Sequence, residues 1–216
     1  MYDNGLMAFW SDIDPDHVMR YQQWHNCEHI PERVTSPGFC RGCRYRAMDN
    51  RPHFLMFYET DAPEALASDY YLNALNNPTP WTREALHYFR NPVRNIYRKR
   101  NTFGAAGPFA APWITSLRYN SATDLTGWAA RCAERESVSR VRLYEVDEEI
   151  SRIITSERKI YGGGPGAQQY LLLVEHTLPE HTESVKDLCE GQPIEDVFRD
   201  HYWLEISHQK EEGTGQ

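Results

Sequence analysis

The chain has 216 residues, a net charge of −8, 12% aromatic residues and a mean hydropathy of −0.70. That length can bury a core, the aromatic content excludes a disordered chain, and the acidic balance disfavours a nucleic-acid binder, which presents a basic surface. No apolar run nears the roughly 18 residues that span a bilayer, no basic-then-apolar start marks a secretion signal, and five irregularly spaced cysteines suit a reducing cytoplasm; a cytoplasmic protein without membrane or nucleic-acid partner is expected.

In chain order, the first half reads as strand (near 5–11), helix (15–30), strands (40–48 and 53–60), helix (62–76), a further helical stretch (81–90) and strand (93–99). Asp14-Pro15-Asp16 opens the first helix, with an Asp cap and a proline in the first turn. A Gly-, Ala- and Pro-rich linker, Asn101–Pro112, follows. The second half reads as strand (112–119), helix (122–135), strands (138–148 and 168–177), helix (179–189) and strand (201–207).

The two halves look like copies. FLMFYETDAPE at 54–64 aligns with YLLLVEHTLPE at 170–180, an offset of 116 at which Leu55/Leu171, Glu59/Glu175, Pro63/Pro179 and Glu64/Glu180 are identical. Each half has the order βαββαβ, the ferredoxin-like unit. The expected fold class is therefore α+β, with an N-terminal repeat over 1–100 that carries the site, a linker over 101–112 and a degenerate C-terminal repeat over 113–216. Two such sheets can pair as a barrel, within one chain or between two chains of a homodimer. The first half carries about ten extra residues around its first helix, and the second lengthens the hairpin from Asp147 to Gln168, ending in the glycine run 162–166, read as flexible.

Unusual polar chemistry concentrates in WHNCEHIPERVTSPGFCRGCRY, residues 24–45. At about 100° per residue, Val18, Gln22, His25 and His29 fall within about 60° of one another on a helix. Val18 marks the sheet-facing side, so both imidazoles aim inward. Pro31 is expected to end the helix near His29. Glu28 and Glu32 lie within a turn of both histidines and are placed to set a tautomer or hold a proton. One reading is a His/Glu acid–base constellation in an apolar pocket; the other is a pair of hydrogen-bonded core histidines beside a solvated acidic face.

The stretch Trp24–Arg33, with its His29-Ile30-Pro31, together with Ser36-Pro37-Gly38-Phe39 and Arg44-Tyr45, resembles the signature of EthD-like proteins of the dimeric α+β barrel superfamily. That resemblance implies a dimeric-α+β-barrel architecture and a small-molecule pocket in the first half, with His29 the best-matching site residue. It does not fix a reaction: relatives include muconolactone-type isomerases, ether-degradation proteins and polyketide-tailoring enzymes, while more distant barrels bind haem.

Other features are weaker. Cys40-x-x-Cys43 has a redox or zinc spacing, but on a strand the two side chains point to opposite faces. The i, i+4 histidines have a metal-ligand spacing without the HExxH arrangement, so no metal is assigned. The glycines at 162–166 lack the GK[ST] of a phosphate loop, and no GxSxG elbow occurs. Trp81, in a proline-fixed loop, is placed either at a pocket mouth or in the core. Arg94 is placed either to clamp a carboxylate or enolate oxygen or in a surface salt bridge. Arg44 and Arg46 share one sheet face.

The leading expectation is a cofactor-free acid/base enzyme, an isomerase or lyase acting on a lactone, aromatic catabolite or polyketide. Its catalytic residues would be His29, His25, Glu28 and Glu32, and its substrate-binding residues Trp24, Tyr45, Trp81 and Arg94. The rivals are a haem enzyme with a His axial ligand, like chlorite-dismutase-type proteins, and a non-catalytic binding or assembly module.

Overall fold

The computed structural model describes residues 4–49, 52–107 and 109–210. Its strands are β1 (Gly5–Ile13), β2 (Phe39–Ala47), β3 (Phe54–Thr60), β4 (Phe89–Gly104), β5 (Trp113–Asn120), β6 (Arg140–Val146), β7 (Tyr170–His176) and β8 (Glu195–Gln209). They close into one antiparallel barrel in the order β1-β3-β2-β8-β5-β7-β6-β4. Strands β1–β4 form one side and β5–β8 the other. The seams are β2 against β8 and β4 against β6, so the two sides pair within one chain.

Alternation along the strands sorts side chains between bore and helix layer. In β1, Leu6, Ala8 and Trp10 enter the bore, where they meet Leu55, Phe57 and Tyr97. Met7 and Phe9 face outward and pack with Met56, Tyr58 and the helices. On the other side, Leu117, Leu172 and Val174 pack outward against Trp128 and Leu188. Glu59 and Glu175, matched in the self-comparison, both enter the bore. Glu59 accepts from Arg41 and Arg142, and Glu175 accepts from Arg140 and Arg142. Burial disfavours the charge on Glu59, but Arg142 and Arg41 outweigh it and hold the carboxyl at about 2.

The first helical segment runs further than the sequence implied. Helix α1 (Val18–Trp24) passes through a π-helical turn, His25–His29, into α2 (Ile30–Thr35). Pro31 does not end it. Proline has no N–H to donate and its ring crowds the carbonyl four residues back. The wider turn, in which the Ile30 N–H reaches back to His25 O, lets the helix continue past it. Gly38 then turns the chain into β2 at φ 78°, where a Cβ would meet the Ala65 Cβ at 2.8 Å.

Several boundaries differ from expectation. The helical stretch at 62–76 divides at Ser68, whose side chain caps α3 (Asp69–Asn76), and the stretch at 81–90 is the short α4 (Pro80–Leu86). Strand β4 starts at Phe89 and runs to Gly104, so the start of the expected linker is strand. In the second half α5 spans Thr126–Ala133, the stretch at 179–189 winds as a 3₁₀ helix, and β8 begins at Glu195. The long hairpin between β6 and β7 is an ordered arm holding α6 (Glu148–Ser151) and α7 (Ser156–Tyr161). Its glycine run is fastened to β4 rather than loose. The Arg94 N–H donates to Gly164 O at 2.9 Å, and Gly163 lies so close to Pro92 that a Cβ would clash.

Candidate active site

A narrow cleft lies between the outer face of β1, β3 and β4 and the helices above them. Met7, Phe9, Met56, Tyr58 and Arg94 form its floor, and Trp24, His25, His29, Tyr71, Leu75, Leu86 and Phe89 its roof and walls. Thr155, Glu157 and Tyr161 close one side. Counting its open side it has about 500 Å³ of empty space, yet only about 40 Å³ is wide enough for the centre of a water molecule. The space is slit-like.

The strand register explains why these residues meet. Phe9 pairs with Met56 on one side and Arg94 on the other, and Met7 with Tyr58 and Ile96. All point outward from the barrel. The π-helical turn then stacks the His25 and His29 rings, 5.7 Å apart and 27° from parallel, with Trp24 4.3 Å from His29. The Trp24 indole donates to Thr82 Oγ1 at 3.1 Å and fixes the roof.

His25 is 1% exposed and both its ring nitrogens are engaged. An Arg44 N–H lies 3.1 Å from Nδ1. A guanidinium only donates, so Nδ1 accepts and the proton of the neutral ring sits on Nε2. From there it points at the Tyr58 hydroxyl oxygen, 3.3 Å away, and leaves the Tyr58 O–H free to donate. Arg44 is in turn held by Glu205 of β8, which also takes bonds from Gln22 and Arg46. Burial, then the charge of Arg44, pushes the His25 pKa well below its usual value. Burial, Arg33 and His25 do the same to His29, whose Nδ1 is buried without a partner among the described residues. Both rings are neutral at pH 7.

The two glutamates expected beside these histidines lie elsewhere. Glu28 accepts from the Thr79 and Thr82 hydroxyls and ties the π-helical turn to the start of α4. Glu32 reaches only its neighbour Arg33, at 3.4 Å, and is partly solvated. Tyr45 is also outside the cleft: it points into the bore, stacks on Phe57 and donates to Ala111 O. Trp81 packs on the core under Arg20 and does not line the cleft. Cys40 and Cys43 diverge as strand geometry requires, Cys43 into the bore and Cys40 toward Asp61. Among the described residues no three His, Cys, Asp or Glu side chains gather as a metal needs.

Trp24 and Arg94 do line the cleft. Arg94 has no carboxylate within ion-pair distance among the described residues, so it is not a surface salt bridge. Tyr71, Tyr161 and Glu157 lie around it and favour its charge against the cost of burial. Sequence reasoning missed Glu157 entirely. This residue is 5% exposed, and its Oε1 takes a bond from Arg33 at 2.6 Å. Burial, helped by Glu32, raises its carboxyl to about 7 against the pull of Arg33 and Arg94. The only hint in the sequence was the unexplained length of the hairpin that carries it. The site therefore does not belong to the first half alone.

No family model and no curated protein matches the sequence. Solved structures do match its shape. An anthrone oxidase-like protein superposes with a TM-score of 0.64 at 9% identity, over 95% of this chain and 92% of that one. A putative monooxygenase from Fusobacterium nucleatum gives 0.58 at 7% identity, over 97% and 96%. A chlorite dismutase variant from Candidatus Nitrospira defluvii gives 0.54 at 10% identity, over 94% and 92%. The chain has the dimeric α+β barrel fold. These matches reach the fold and stop short of the EthD-like family.

Haem, the cofactor of the rival expectation, needs an open cavity and a free axial nitrogen. A macrocycle of haem's size cannot enter this slit without displacing its walls. The side chains that would have to yield include Tyr58 and Tyr71, at 1% and 2% exposure. His25 has no nitrogen to offer an iron, and the His29 ring is wedged between Trp24 and His25. These residues do not fit haem.

Proposed function

We propose that the chain is an acid/base enzyme that moves a proton on a small, flat, oxygenated molecule held in this cleft. The supporting observation is the juxtaposition, between apolar walls, of a buried carboxyl raised to about 7, Glu157, with two neutral hydrogen-bonding groups, Tyr58 and His29. A catalytic group whose pKa lies near the working pH both takes and returns a proton efficiently. Glu157 Oε1 is held by Arg33; Oε2 has no hydrogen-bond partner among the described residues and is the atom that moves the proton. The C–H or O–H proton of the substrate passes to Oε2, and the electron pair it leaves moves onto a conjugated oxygen.

That oxygen is stabilised by donors already aimed into the cleft. The Tyr58 O–H is one, freed because His25 donates to the Tyr58 oxygen; we assign the second to the N–H of His29, whose ring lines the cleft. Return of the proton to a different atom completes an isomerisation. Loss of a leaving group instead completes a lyase reaction. The aromatic walls exclude water from the intermediate. A second reading is oxygenation, in which molecular oxygen adds to the same carbanion; the oxidase-like and monooxygenase names of two neighbours favour it, and it begins with the same proton step.

The test is deuterium exchange into the acidic C–H positions of a panel of lactones and ring ketones in D₂O, followed by NMR with oxygen uptake recorded in parallel. Exchange above the buffer rate is expected, reduced about 100-fold or more in Glu157→Gln. Exchange that survives this substitution, or no exchange on any compound, refutes the reading.

A further inference from the structure

The cleft carries an unbalanced positive charge. Arg94 and Glu157 line it and Arg33 lies behind Glu157, so two guanidinium groups meet one carboxyl there. Arg33 is 1% exposed and takes Glu157 as its buried partner. Glu32 touches Arg33 only from the solvent side, where water screens it. Arg94, half-buried, is left without a carboxylate within ion-pair distance among the described residues, although withdrawing an unpaired charge from water is costly. The arginines of the bore are treated differently. Arg41, Arg140 and Arg142 in the bore each have a carboxylate within hydrogen-bonding distance.

The walls beside Arg94 are flat and aromatic. Phe9, its direct neighbour across the strands, meets Phe89 at 5.1 Å and Tyr161 at 5.2 Å, edge to face. These packed rings make the surface beside Arg94 aromatic and apolar. A guanidinium is shaped to grip a carboxylate through two parallel N–H bonds.

From this arrangement we infer that the ligand is a planar carboxylate, an aromatic or conjugated acid whose carboxylate pairs with Arg94 while its ring lies along the apolar walls of the cleft. The inference rests on the reading of this cleft as the active site and supplies the substrate class that reading leaves open. It also assigns Arg94 to holding the ground-state anion and leaves the developing charge to Tyr58 and His29. The ligand restores neutrality in the cleft, so that its affinity derives largely from one half-buried pair.

The test is calorimetric titration of the whole chain with benzoate and with benzamide, which has nearly the same shape and no charge. Benzoate is expected to bind and benzamide to bind at least about 10-fold more weakly, a difference typical of a charge-assisted pair. This comparison needs no substitution. Arg94→Gln is expected to reduce benzoate affinity about 10- to 100-fold, with Arg94→Lys between the two. No benzoate binding, equal binding of the two probes, or indifference to Arg94→Gln overturns the inference. Tighter binding of 4-nitrophenolate than of benzoate overturns the carboxylate assignment in favour of a phenolate. Charge-blind binding with exchange chemistry intact removes only the ligand class. Arg94-dependent benzoate binding with no exchange on any compound, including unsaturated acids, removes only the proton-transfer reading.

Discussion

The two sides of the barrel place an arginine at the same point and use it differently. Phe9 pairs with Met56 and Arg94; at the matching position Leu117 pairs with Leu172 and Arg199. Arg94 lies under an arm carrying Glu157 and Tyr161 and faces a cleft, whereas Arg199 is exposed to solvent. Tyr58, the hydroxyl of the first site, is matched by Val174, and Met7 by Thr115. The helix layer over the second side is closed by Trp128, whose indole donates to Leu188 O. A shared strand register does not by itself make a site. An arm from the opposite half and a π-helical turn turned one of two equivalent surfaces into a cavity.

The largest expected effect tests the arm. Arg33→Leu leaves Glu157 buried without its partner, and should lower unfolding free energy by about 3–5 kcal/mol in urea denaturation. Next, Leu172→Ala, on the packed side, should cost about 2–5 kcal/mol. Met56→Ala, at the matching position on the cleft side, should cost less, because part of its surroundings is already empty. Equal losses would mean that the cleft is as well packed as its counterpart.

A third effect is pH dependence. The raised pKa of Glu157 means that the folded state holds its proton more tightly than the unfolded state does. Its contribution to stability is full below about 4.5 and lost as pH rises through about 7. His25 and His29, with lowered pKa values, act in the opposite sense: their contribution is present above about 6.5 and lost as pH falls. The two trends oppose each other between these limits. Glu157→Gln should therefore steepen the loss of stability from pH 6.5 to 5 and flatten the curve from 6.5 to 8, read from denaturation midpoints. The smallest expected effect is that of Arg199→Gln, within about 0.5 kcal/mol and without change in benzoate affinity. A marked change there would show that the second side also binds ligand.

Much of the architecture was legible because strands announce themselves by alternation and breakers, and because the match of Glu59 with Glu175 reflects a shared place in the bore. The inward aim of His25 and His29 followed from helical spacing alone. Their partners did not. Arg44 comes to His25 through the pairing of β2, and Glu205 reaches Arg44 from a strand about 160 residues away; no local pattern encodes that contact. Glu28 and Glu32 were close in sequence but turned toward Thr79, Thr82 and Arg33, since a turn of helix fixes only direction and the neighbours decide the bond. Glu157 could not be found by periodicity, because the arm that delivers it is too short for an amphipathic signature. The long hairpin was visible, but where it would fold back was not.

Joining both halves in one polypeptide changes what the seams between them must accomplish. When two chains meet to close a barrel, dilution opens it, and symmetry obliges every substitution to appear twice. Here β2–β8 and β4–β6 zip up as an intramolecular event, at an effective concentration set by the linker rather than by the cell. Closure of this barrel is therefore insensitive to protein concentration, and each half is free to mutate alone. The second copy can serve as scaffold and lend an arm to its neighbour.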